Sequence, residues 1–142
     1  MKPQNTVKFI FPARSINESF ARSAVASFAA QADPTVAEIA DLKTAVSEAV
    51  TNCIVHAYRD TIGLITLTAS FYEENRLVIT VTDKGCGISD VAKAMEPLFT
   101  TGGEERAGLG FAVMESFMDK IKVRSAPGKG TRVTLEKQLG KR

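Results

Sequence analysis

The sequence predicts an α+β fold, a two-layer sandwich in which a mixed, mostly antiparallel sheet carries its helices on one face. Three observations carry that expectation. Stretches at 7–11, 64–71, 77–82, 121–124 and 131–135 are short, rich in strand formers and alternate apolar with polar residues. Two pairs of these stretches are joined by turn-type sequence, Glu73-Glu74-Asn75-Arg76 and Ala126-Pro127-Gly128-Lys129-Gly130, which marks hairpins. The helical patterns stand apart from the hairpins instead of alternating with single strands, which favours helices gathered on one side of the sheet.

The chain has 142 residues, enough for one domain spanning 1–142 with its own core. Hydrophobic content of 44% and charged content of 24% are those of an ordinary globular protein. A net charge of +2 gives no argument for direct nucleic-acid contact or for an acidic membrane surface. No apolar run reaches membrane-spanning length and no leader pattern opens the chain, so a cytoplasmic location is expected. Cys53 and Cys86 are the only cysteines and His56 the only histidine, a poor set for a disulfide framework or a transition-metal centre.

In chain order, Val7-Lys8-Phe9-Ile10-Phe11 is a strand closed by Pro12. Ser15 followed by Glu18 has the spacing of a capping box, opening a helix that runs to about Ala32. Asp33-Pro34 reads as the cap and first residue of a second helix, which carries Leu42 through Tyr58. Gly63 turns the chain into the first hairpin. A short helix over 90–95 is expected to stop at Pro97, and 100–108, without periodicity, to form a mobile loop. Apolar residues at 109, 113, 114 and 117 predict a helix over 109–118. The last hairpin follows, and the tail 140–142 is expected to fray.

Glu48, Asn52 and His56 recur at spacing four and share a stripe beside the apolar face of the second helix. A carboxylate and a carboxamide one turn apart can hold a cation between them, or divide the work of metal ligand and proton acceptor. Taken alone, the stripe is more simply a half-buried helix with one acid at its edge. Asp83-x-Gly85-x-Gly87 ends a strand; such an acid can accept from an exocyclic amine while the glycines let backbone approach a flat ring, or it can be a plain turn. Gly108-Leu109-Gly110 at a helix start offers backbone N–H groups to a phosphate, or is a flexible loop end. Gly128-Lys129-Gly130-Thr131 is by default a hairpin turn. No Walker phosphate loop, Rossmann fingerprint or nucleophile elbow is present.

Each box is weak alone. In this order, on this pattern of elements, they resemble the Bergerat-fold (GHKL) ATP-binding family, which gyrase and histidine kinases share. Asn17-Glu18-Ser19-Phe20-Ala21-Arg22, with 46–52 and Pro97-Leu98-Phe99-Thr100-Thr101, is similar to the anti-sigma serine kinases of endospore-forming bacteria within that family. The resemblance implies ATP and Mg2+ as cofactors, with Asn52 as the Mg2+ ligand and Glu48 as general base toward a serine hydroxyl. It implies Asp83 as acceptor for the adenine amine, with Gly85 and Gly87 leaving room for the ring and Thr131 supporting that contact. Gly108 and Gly110 would donate to phosphate, Arg106 would reach the terminal phosphate, and Thr100 and Thr101 would line the lid. Arg22 would grip the protein partners: a sporulation sigma factor of the sigma F type, and an anti-anti-sigma factor that is the phosphorylation substrate. A homodimer through the first strand is implied as well. His56 is assigned a supporting role. The lid departs from the family, with Gly102-Gly103 where relatives often carry Lys-Pro and one residue fewer. Competing readings are a general stress-response anti-sigma kinase, a non-catalytic ATP-dependent binding module, which Glu48 argues against, and a detached histidine-kinase domain, which lacks a helix carrying a phospho-acceptor histidine.

Overall fold

The computed structural model describes residues 2–58, 62–87 and 104–140, with the backbone alone for 104–108. Its elements are β1 (Asn5–Pro12), α1 (Ser15–Ala29), α2 (Val36–Asn52), β2 (Leu64–Tyr72), β3 (Arg76–Asp83), α3 (Glu104–Phe117), β4 (Lys120–Ser125) and β5 (Thr131–Gln138). One 3-10 turn, Ala30–Ala32, joins α1 to the next segment, another, Glu73–Asn75, joins β2 to β3, and a π-turn, Cys53–Ala57, continues α2.

The strands form one five-stranded sheet in the order β1-β2-β3-β5-β4. Every pairing in it is antiparallel. The mixed sheet expected from the sequence is therefore antiparallel throughout among the described residues. The cause is topological: the β4–β5 hairpin inserts β5 beside β3, so β3 and β4, which run the same way, never become neighbours.

Alternation along the strands decides which face is covered. Leu67, Val81 and Val133 stand level across β2, β3 and β5, and Ala69, Ile79 and Leu135 form the next row; all six are buried. The helices supply Ala21, Val25 and Ala29 from α1, Leu42, Ala45, Val46, Ala49 and Val50 from α2, and Phe111 and Met114 from α3. Each large apolar side chain removed from water in this way stabilises the fold by about 1.5–3 kcal/mol. The other face of the sheet carries Thr66, Thr68, Thr80 and Thr82, all partly exposed. The inward row of β3 runs Leu77, Ile79, Val81 and then Asp83, so the pleat that buries three apolar residues also buries a carboxylate at the end of the strand. Among the described residues no helix is long and apolar enough to cross a membrane.

Three helix starts differ from the sequence expectation. α1 has Arg14 as its flanking residue and no side-chain cap, so the Ser15/Glu18 box does not form. Glu18 is drawn away by tertiary partners, accepting from Arg22 at 3.4 Å and from the Ser47 hydroxyl of α2. α2 is capped by Thr35, not Asp33: the Thr35 hydroxyl accepts from Glu38 N and the Glu38 carboxylate accepts from Thr35 N. Asp33 instead takes a left-handed conformation that closes the 3-10 turn, its N–H bonding Ala30 O. α3 begins at Glu104, five residues before the expected start. The loop expected over 100–108 therefore ends by Glu104. The short helix expected over 90–95 lies outside the described residues.

Candidate functional site

The site gathers where α2 ends, where β3 ends, where α3 crosses α2 and where the β4–β5 hairpin turns. α2 brings Glu48 and Asn52, both half-buried. Asn52 Nδ2 is buried and has no hydrogen-bond partner among the described residues. An orphaned buried amide costs about 1–3 kcal/mol, so native chains keep few of them outside working sites.

Gly110 of α3 faces these two side chains. A Cβ placed on it would lie 3.1 Å from Glu48 Oε2 and 3.2 Å from both Asn52 Nδ2 and Oδ1. The carboxylate and the amide thus converge on one point, which the missing side chain lets the backbone of α3 approach closely. On its other side Glu48 borders a groove of about 440 Å³ between α1 and α2, lined also by Arg22, Ala40, Lys43, Thr44 and Ser47. Arg22 stands in that groove, partly exposed, and pairs with Glu18 on its own helix.

The second half of the site is built around Asp83, only 5% exposed. Its Oδ1 accepts from Gly85 N at 2.9 Å and from Thr131 N at 3.2 Å, and its Oδ2 accepts from the Cys53 thiol at 3.4 Å. Burial pushes the Asp83 carboxyl above its ordinary range, and the donors from Gly85, Cys53 and Thr131 pull against that. Burial, together with the negative charge of Asp83, holds the Cys53 thiol well above its ordinary value, so it stays protonated and able to donate. The approach of the hairpin requires glycine at Gly130, where φ is +83° and a Cβ would meet Asp83 O at 2.2 Å. Gly87, at φ +76°, faces Ala126 O in the same way, so packing against the hairpin already demands a glycine there.

The π-turn ties the two halves together. The Tyr58 N–H bonds Cys53 O at 3.3 Å, the wide i→i+5 closure. Ala57 O accepts from Cys86 N at 3.1 Å, and His56 O accepts from the Cys86 thiol at 3.2 Å. The π-turn also breaks the four-residue stripe after Asn52. Here His56 meets the glycine loop through its carbonyl.

Of the residues singled out from the sequence, Glu48, Asn52 and Gly110 meet at one point, and Asp83, Gly85 and Thr131 at another. Thr131 reaches Asp83 through its backbone, while its hydroxyl bonds Ser125 Oγ at 2.8 Å. Gly108 lies one turn inside α3, not at its open end, because the helix starts at Glu104. Arg106 is placed by its backbone in the first turn of α3, and its side chain lies outside the described residues, as do Thr100 and Thr101. Sequence reasoning missed Cys53 as a partner of Asp83; its position directly after Asn52 was the available signal.

The arrangement fits a nucleotide with a metal. A buried carboxylate backed by amide donors suits the amine edge of a base, and an unpaired amide beside a second carboxylate suits a hydrated cation and phosphate oxygens. The close approach of α3 to Glu48 and Asn52 is one that a Cβ on Gly110 would crowd.

Comparison with known proteins agrees with this geometry. The model of the histidine kinase-like ATPase domain matches residues 11–137. The anti-sigma F factor of Caldanaerobacter subterraneus is 58% identical over 142 residues, 99% of each chain. The anti-sigma F factor of Clostridium acetobutylicum is 53% identical over 137 residues, 96% of this chain and 95% of that one. Among solved structures, the RsbU and RsbW domains of a Mycobacterium tuberculosis protein share the fold at a TM-score of 0.70 and 21% identity, over 96% of this chain and 33% of that one. The histidine kinase domain of a blue-light activated histidine kinase from Erythrobacter litoralis gives a TM-score of 0.57 at 22% identity, over 86% and 60%. The chain belongs to the anti-sigma F factor family and carries its histidine kinase-like ATPase domain.

Proposed function

We propose that this chain, acting as one domain, binds a sigma factor of the sigma F type and uses Mg2+ and ATP to phosphorylate a serine on an anti-anti-sigma partner. The observation that carries the reading is the position of Glu48. Its carboxylate borders the α1–α2 groove on one side and meets Asn52 at Gly110 on the other. A general base for protein phosphorylation has to stand at such a boundary, between the space for a partner's hydroxyl and the space for phosphate.

In this reading Asp83 orients the base by accepting from its exocyclic amine. Asn52 holds Mg2+, which when bound neutralises charge on the phosphates. Glu48 takes the proton of the serine hydroxyl as the seryl oxygen bonds to the terminal phosphorus and the bond to the ADP oxygen breaks. Arg106 balances charge at the terminal phosphate, Gly108 and Gly110 give close backbone approach, and Thr100 and Thr101 line the lid. Arg22, at the mouth of the groove, is the contact for both protein partners. Phosphate on the partner's serine adds negative charge at that interface and releases it. β1 is an edge strand with Ile10 59% exposed, which supports a homodimer formed along it.

Glu48→Gln keeps shape and hydrogen bonding but not the base. The variant is expected to bind ATP as the parent does and to transfer phosphate to a purified anti-anti-sigma protein about 10²–10⁴-fold more slowly. Transfer at the parent rate in single-turnover assays would remove Glu48 from this role.

A further inference from the structure

Cys53 opens the π-turn and is 3% exposed. A buried free cysteine ordinarily serves as a small apolar filler. Its surroundings here are different. Among the described residues Asp83 has two backbone donors, Gly85 N and Thr131 N, and both take Oδ1. Cys53 is the one side-chain donor to this carboxylate among the described residues, and it takes Oδ2. With Cβ and Cγ in place, the two bonds on Oδ1 set the carboxylate plane, and among the described residues only the thiol bears directly on Oδ2, adding a hold on the second oxygen. The π-turn that carries this donor is itself held to the glycine loop, through Ala57 O to Cys86 N and through His56 O to the Cys86 thiol. Cys53 also follows Asn52 directly, so the amide assigned to the metal and the thiol on the base-reading carboxylate are consecutive residues.

We propose that Cys53 is a positioning residue that steadies Oδ2 of the Asp83 carboxylate and thereby strengthens the preference for a purine bearing an exocyclic amine. The proposal rests on the role given to Asp83 above and adds to it the residue that makes Asp83 more selective. Because a carboxylate oxygen accepts more than one hydrogen bond, the thiol and the amine of the base share Oδ2 without competing.

The test is calorimetric titration of the full chain with ATP and with inosine triphosphate, in which a carbonyl replaces the amine, both with Mg2+. The proteins are the parent, Cys53→Ala, Cys53→Val, Cys53→Ser and Asp83→Asn. Alanine and valine both remove the donor while differing in volume, so one serves if the other folds badly. Each is expected to lose about three- to tenfold in ATP affinity with little change for inosine triphosphate. Serine, which restores a donor, is expected to return the parent ratio. A parent-like ratio in both apolar variants would reduce Cys53 to a packing residue, and loss of the ratio in Cys53→Ser would rule out donation as the cause. Failure of the underlying reading has a separate signature, an Asp83→Asn protein that keeps the parent preference for ATP.

Discussion

The two ends of α2 are built to opposite standards. At its start the Thr35 and Glu38 side chains each satisfy a backbone N–H of the other, and Glu38 Oε1 takes a further N–H from Gly140 at 3.1 Å. At its end Asn52 keeps a buried Nδ2 without a partner among the described residues, and the helix widens into a π-turn in place of a cap. The start follows the rule that buried polar groups are paired, and the end breaks it. One end therefore holds the fold while the other carries the residues proposed to bind the nucleotide and metal, a division expected where a chain gives up local consistency for function.

That contrast can be broken by substitution, first at Gly110. Gly110→Ala adds a Cβ 3.1–3.2 Å from the Glu48 and Asn52 side-chain ends, which have to shift by a few tenths of an ångström. Helix propensity favours alanine by up to about 1 kcal/mol, so urea unfolding is expected to show equal or greater stability. Phosphate transfer is expected to fall about ten- to a hundredfold through misplacement of the two groups. A variant that is both less stable and fully active would reverse the assignment of this end to function.

Thr35→Ala sharpens the comparison from the other side. Loss of the cap is expected to cost about 1 kcal/mol in urea unfolding, with ATP affinity unchanged in titration. A matching loss of ATP affinity would show that the two ends of the helix are coupled.

The smallest effect is a dependence on pH. Burial raises the Glu38 carboxyl, but the N–H groups of Thr35 and Gly140 and the Thr35 hydroxyl outweigh it and hold the group below its ordinary 4.5. A carboxylate depressed in the folded chain contributes stability that is present above its unfolded value and is lost as pH falls through its folded value. The stability difference between the parent and Glu38→Gln is therefore expected to be constant near neutrality and to shrink as pH drops below 4.5. A difference that stayed constant to low pH would mean the cap does not depend on the charge.

Much of this was legible in the residues themselves. Alternation at 64–71 and 77–82 is a local property, and β2 and β3 form where it occurs. Capping was less legible, because the sequence offers the required spacing more than once. Ser15/Glu18 and Thr35/Glu38 are equivalent as patterns. Ser47, twenty-nine residues away, and Arg22 claim Glu18, whereas Gly140, from the far end of the chain, reinforces Glu38.

The sequence by itself determined the α+β class, the order of the polar and glycine boxes and the family they belong to. All of these rest on spacing between residues near one another in the chain. Only the tertiary structure decided that β5 would separate β3 from β4, that Gly110 would stand over Glu48 and Asn52, and that Cys53 would reach Asp83 thirty residues on. Those contacts depend on how helices seat on the sheet and where a π-turn resets the register, and no local pattern carries that information.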